Sequence, residues 1–213
     1  MTIAIPSLRR VPAAQRGITI GDFLVPIRVG ERISPWVRHV LLVMVGAVLI
    51  FLTAKVSLPG PNGVPFTLQN FGVLLVGGAL GLRRGGLAAA LYLLLGVVGL
   101  PFFAEGKGGL QVIWGVTGGY LVGFVVAAAL VGWLAEQGWD RRLGGALGAT
   151  ALGTAVIYAF GVPWFAITTG RDAFMAVADG LAPFLPVDIL KLVAAALFFP
   201  AAWWVVGRRP SEA

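Results

Sequence analysis

The stretch "PFLPVDILKLVAAALFFPAAWWVVGRRP", residues 183–210, decides the fold. From Ile189 onward it is almost entirely apolar, until Arg208 and Arg209 close it. A helix needs roughly 20 such residues to cross a bilayer core about 30 Å thick, and this run supplies them. Near its start stand Asp188 and Lys191. At i, i+3 they share one helix face, with Cβ atoms about 5–6 Å apart. Each ionisable group costs about 2.5–3.5 kcal/mol at the centre of a membrane helix and less near its end. Either the two neutralise each other near the outer interface, or they address a polar ligand from the outer leaflet. An intramembrane charge marks a functional site by default. Pro183 and Pro186 add to that case, because they fix where the helix starts and so where its free N–H groups point.

Five more apolar runs precede this one, at about 37–56, 67–82, 85–100, 111–135 and 143–163. They are continuously apolar rather than alternating, which disfavours a β-barrel. The second and third are short for a crossing and are expected to be tilted, bent or partly re-entrant. The 213 residues are 58% hydrophobic and 12% charged, with a mean hydropathy of +0.91. A soluble domain could not solvate such a surface, so the chain is an integral membrane protein. The expected architecture is all-α: a compact bundle of six transmembrane helices with both termini cytoplasmic.

Lys and Arg set the orientation. With the N-terminus inside, the cytoplasmic set is Arg9, Arg10, Arg16, Arg28, Arg32, Arg38, Arg83, Arg84, Arg141, Arg142, Arg208 and Arg209. The outer loops hold only Lys55, Lys107 and Arg171. Twelve against three is a clear positive-inside bias, and it needs an even number of crossings. The net charge of +7 is dispersed at segment ends, which suits membrane orientation and not nucleic-acid binding. Residues 1–36 mix Arg with Pro and Gly and form a basic cytoplasmic extension; 37–207 form the membrane domain; 208–213 form a short tail. No apolar core follows Arg9-Arg10, so a cleaved signal peptide is not expected.

The inner loops are short, "LRRGG" and "EQGWDRRLGG", whereas the outer ones are long and varied. Ordered loops over a rigid scaffold carry binding residues, so the outer face is the expected functional face. Small residues four apart line three segments: Gly115, Gly119, Gly123 and Ala127; Gly145, Ala149 and Gly153; Gly77, Gly81 and Gly85. Such stripes serve close helix packing within the bundle or docking onto another membrane subunit.

Several chemistries are absent from the sequence. There is no cysteine and only one histidine, His39, so neither a thiolate nor a His-cluster metal site is expected. Gly106-Lys107 is followed by Gly108, and Pro101 stands where a P-loop needs glycine. No HExxH or GxSxG motif occurs. No enzymatic activity and no cofactor are therefore expected. Polar groups do collect at the depth of Asp188. They are Thr67, Gln69 and Asn70, then Gln111, Thr117 and Tyr120, then Tyr158 and Trp164. An aromatic at that depth is also the usual interfacial anchor. Lys107 and Glu105 fall in a Gly-rich loop open to solvent. Together these residues describe a small, mostly apolar cavity, open to the outside and lidded by loops.

Four stretches resemble the BioY family: residues 64–103 ("VPFTLQNFGVLLVGGALGLRRGGLAAALYLLLGVVGLPFF"), 108–110 ("GGL"), 117–124 ("TGGYLVGF") and 183–191 ("PFLPVDILK"). The resemblance covers about 40–205. It implies six membrane helices and a biotin site near the outer face, capped by the first outer loop. It implies biotin as ligand and, as partners, a transmembrane coupling (T) subunit and ABC-type ATPases, the chain being the substrate-binding S component of an energy-coupling factor (ECF) importer in a prokaryotic cell membrane. The family's D-x-x-K pair carries over to Asp188 and Lys191. Val116 stands where the family's GPTGGY motif has proline, and Ala47 is followed four residues on by Phe51, so an Ala-x-x-x-Ala docking repeat is not readable. The ligand-facing set is then Asp188, Lys191, Tyr120, Thr117, Gln111, Gln69, Tyr158, Trp164 and Lys107. Lys191 could pair with the ureido oxygen or reach the ligand carboxylate; if Asp188 and Lys191 both grip the ureido end, a cation for the carboxylate could come from Lys107, Lys55 or Arg171. The competing readings are a solitary biotin carrier, an S component for another vitamin, and an intramembrane enzyme or helper protein.

Overall fold

The structure, a computed structural model, describes residues 19–24 and 34–206. Most of the 1–36 extension and the 208–213 tail lie outside the described residues. Among the described residues, five helices are long and apolar enough to cross a membrane. The short helix α1 (Gly21–Leu24) precedes α2 (Pro35–Lys55). Two-residue strands β1 (Ser57–Leu58) and β2 (Phe66–Thr67) pair antiparallel, Ser57 opposite Thr67, and lead into α3 (Gln69–Val97). Then come α4 (Leu110–Trp114), α5 (Gly118–Glu136), α6 (Leu143–Thr169), α7 (Ala173–Gly180) and α8 (Leu185–Val206).

The count of five differs from the six expected segments, and the reason is one glycine. Segments two and three are joined in α3, which breaks at Gly81 (φ 84°, ψ 178°). That backbone state is essentially closed to any residue with a Cβ. At 1.5 Å per residue a straight α3 would put Gln69 and Tyr92 about 35 Å apart. Instead Gln69 Nε2 donates to the Tyr92 hydroxyl at 2.7 Å. A Cβ on Gly85 would lie 2.8 Å from Gly77 Cα, so the two halves return side by side. The bend frees the N–H of Leu82, and Glu136 at the end of α5 accepts it at 2.9 Å. The expected fourth segment is also interrupted. Gly115 is extended, and it separates α4 from α5.

The helix α5 is the most buried of the five, and the small-residue stripes face inward around it. Gly123 lies against Ile157 of α6, Gly119 against Phe160 and Trp164, and Gly77 against Ala128. Gly145 packs on Trp139, and Gly153 on Leu74 and Val131. Close approach without side chains is how membrane helices gain dispersion energy, since lipid is as apolar as leucine. One flank of α2 is buried through Leu42, Gly46, Ala47, Ile50 and Ala54. Its other flank, with Leu41, Met44, Val45, Val48, Leu49 and Leu52, is exposed as a lipid-facing surface would be.

Residues 19–24 pack on the bend. Ile20 is buried beside Phe199, and Gly21 meets Leu80. Asp22 receives Arg84 at 2.8 Å. Elsewhere at this end, the turn between α5 and α6 buries Asp140, whose Oδ2 accepts the indole N–H of Trp203 on α8 at 2.6 Å. Burial raises the Asp140 carboxyl to about 6, against the pull of the Trp203 hydrogen bond and the Arg141 charge.

Two kinds of outcome are expected, the first for glycine substitutions. Gly81→Ala lowers the thermal midpoint in detergent, by a loss of about 1–3 kcal/mol, from strain and contact with Glu136. Gly144→Ala, where nothing lies within 4 Å of the new Cβ, is neutral or stabilising by up to about 1 kcal/mol. The second concerns pH. A carboxyl that binds its proton more tightly folded than unfolded makes the folded state lose stability as pH rises from the unfolded value of 3.8 towards 6. Thermal midpoints measured across that range should fall in the wild type and stay flatter in Asp140→Asn.

Candidate ligand cavity

At one end of the bundle α3, α5, α6 and α8 enclose a cavity of about 310 Å³, closed above by the β1–β2 hairpin and the loop before α4. Asp188 sits at its polar end, in the first turn of α8. The side chain is buried, yet it accepts three hydrogen bonds from three helices. Lys191 Nζ reaches Oδ1 at 2.7 Å, and Asn70 Nδ2 reaches Oδ2 at 2.8 Å. The Tyr158 hydroxyl donates to Oδ2 at 2.5 Å. These charge-assisted bonds offset the loss of water around a buried carboxylate.

The remaining capacity can be counted. A carboxylate has about four lone-pair sites, and Asp188 uses two on Oδ2 and one on Oδ1. Lys191 gives one of its three N–H bonds to Asp188. One acceptor site and two donors are therefore left side by side. The walls are Phe103, Phe124, Phe184 and Tyr120, with Val64 and Pro65 from the hairpin turn. Such a lining, apolar with a few convergent polar groups, suits a small amphipathic molecule.

Eight of the nine expected residues line this cavity: Asp188, Lys191, Tyr120, Thr117, Gln111, Gln69, Tyr158 and Lys107. Several are already committed to scaffold contacts. Gln69 holds Tyr92, and Tyr120 donates to the Gly180 carbonyl at 2.6 Å, tying α5 to the end of α7. Gln111 donates to Gly108 O. Trp164, the ninth, does not line the cavity; it donates to Gly115 O at 2.9 Å and covers Gly119, bracing the break before α5. Tyr158 is no interfacial anchor; it is a buried donor to Asp188.

Of the three cations considered for a ligand carboxylate, Lys107 alone lines the cavity, at its mouth and paired with Glu105 at 2.5 Å. Lys55 donates to Pro101 O at 2.7 Å and lies over the Phe51 ring. Arg171 pairs with Asp179 and donates to Asn62 Oδ1 at 3.1 Å, joining the hairpin turn to α7. The contact the sequence reading underused is Asn70. It was placed at the right depth, but its partner lies 118 residues away.

The buried pair has a measurable consequence. Lys191→Met leaves Asp188 with neutral donors only and should destabilise the empty protein by about 3–5 kcal/mol. Adding Asp188→Asn should restore most of that loss. Unfolding of the single and double variants in the same detergent checks this, and additive losses would argue against a coupled pair.

A model of the BioY family matches residues 25–208, beginning inside the stretch set apart by composition. A protein named biotin transporter BioY from Thermotoga maritima is 46% identical over 151 residues, covering 70% of this chain and 86% of that protein. One of the same name from Rhodobacter capsulatus is 38% identical over 173 residues, covering 75% and 90%. A crystal structure described as the S-component for biotin from an ECF-type ABC transporter superposes with a TM-score of 0.72 at 23% identity, covering 79% of this chain and 93% of that one. The fold is shared with that S-component, and by the extent of the family match this chain belongs to the BioY family.

Proposed function

We propose that this protein is the biotin-binding S component of an ECF-type importer. It captures biotin at the outer face of a prokaryotic cell membrane and hands it to a T subunit driven by ABC-type ATPases. The observation that carries the ligand is the unused capacity at Asp188 and Lys191, one acceptor and two donors side by side. The ureido ring of biotin presents N–H donors next to a carbonyl, the complementary set. One ureido N–H goes to Asp188 Oδ1 and the carbonyl to Lys191 Nζ. The thioether ring packs among Phe124, Phe184 and Tyr120, and the valerate chain runs to the mouth. There its carboxylate takes Lys107 from Glu105.

The topology proposed is six crossings with both termini cytoplasmic. The fold-back at Gly81 supports it, since each half of α3 then counts as one crossing. So does the placing of Arg83, Arg84, Arg141 and Arg142 at bends on one side, with the cavity at the other. Relatives named as biotin transporters support the ligand.

Calorimetric titration of the detergent-purified protein tests the reading. One-to-one biotin binding is expected, lost in Asp188→Ala/Lys191→Ala. Lys107→Ala should weaken biotin by about tenfold, a loss of roughly 1–2 kcal/mol, and leave a neutral biotin amide unaffected. A folded wild type that ignores biotin would sink the assignment. Riboflavin or thiamine competing at equal concentration would move it to another vitamin.

A further inference from the structure

Between α2 and the second half of α3 runs a lateral groove of about 900 Å³, remote from the ligand cavity. Val40, Val43 and Met44 form one wall, and Leu87, Leu91 and Leu94 the other. Met44, Leu87 and Leu94 each leave half or more of their surface uncovered at bilayer depth. An apolar slot there is solvated by acyl chains.

One end of the slot is polar. It lies at the Gly81 bend, where Arg83, Arg84 and His39 line it beside exposed Trp36, in the manner of an interfacial anchor. Arg84 is held from two sides, by Asp22 Oδ1 at 2.8 Å and by His39 Nδ1, which accepts its Nε–H at 2.8 Å. Accepting at Nδ1 makes neutral His39 the Nε2–H tautomer, so the exposed ring keeps one N–H donor. Arg38 also serves Asp22, at 2.6 Å to its carbonyl oxygen. Glu136 is occupied by the Leu82 N–H. Three guanidiniums thus face two carboxylates, and Arg83 is exposed with no hydrogen bond or ion pair among the described residues. A net positive charge sits at the head of an apolar slot.

We propose that this groove binds an anionic phospholipid. One acyl chain lies between α2 and α3, and the phosphate sits against Arg83 and the His39 Nε2–H. Basic pockets between membrane helices recognise lipid headgroups in this way. The leaflet depends on the orientation proposed above; the binding does not.

The test uses delipidated full-length protein in detergent. It is titrated with phosphatidylglycerol or with phosphatidylcholine of identical chains, and retained lipid is counted by native mass spectrometry. One phosphatidylglycerol should be held with a preference of about fivefold or more, the effect of one basic group near a lipid surface. Arg83→Ala should abolish the preference. Leu87→Trp, which fills the slot and leaves the charges alone, should lower retention of both lipids. Equal retention of the two lipids by wild type would overturn the site. So would variants that hold phosphatidylglycerol as wild type does. If Arg83→Ala fails to fold, the lipid preference of wild type and the Leu87→Trp result decide.

Discussion

A carboxylate held at membrane depth must find its donors within the protein, and at Asp188 that requirement organises the half of the bundle around the cavity. Its three donors come from α3, α6 and α8, so the three helices must converge at one level to satisfy one side chain. Hydrocarbon offers no competing hydrogen bonds, and an arrangement that leaves the anion short of a partner is costly. The cavity is what remains when three helices meet at a polar point while aromatic side chains keep them apart. Its chemistry and its shape have the same origin.

The half of the bundle remote from the cavity answers a different constraint. Gln69 can meet Tyr92 only because α3 reverses at Gly81, and that reversal exposes a backbone N–H that must be satisfied. Glu136 does so from α5, while Thr19, Ile20 and Gly21 close the other side of the bend. The break at Gly115 repeats the pattern at the cavity end, with the indole of Trp164 donating to the Gly115 carbonyl. Irregular backbone is tolerated at each site because a neighbouring side chain completes it.

The sequence made the helices legible because continuous apolar runs have a single stable solution in a bilayer. It made Asp188 and Lys191 legible because two opposite charges in such a run stand out. Other features depended on tertiary contact. The "LGLRRGG" stretch signals a short turn, but not that one glycine suffices to reverse the chain. Asn70 has the depth of a site residue but no local mark of its partner. Trp164 shows the limit most plainly: a tryptophan near the end of a helix has the same sequence signature whether it faces lipid, a ligand or, as here, the carbonyl at the break between α4 and α5. The octamer of α7, capped by Asp172 through the Met175 N–H, lay inside what composition presented as loop.

Arg171 gives the cavity a kinetic character. It joins Asn62, in the hairpin turn that closes the cavity, to Asp179 on α7, whose last residue Gly180 is gripped by Tyr120. Lifting the hairpin therefore means parting contacts that are one-third exposed or less, yet still reached by ions. Added salt would screen the Arg171 clasp at the rim, while the ion pair of Asp188 and Lys191, buried beneath it, is shielded.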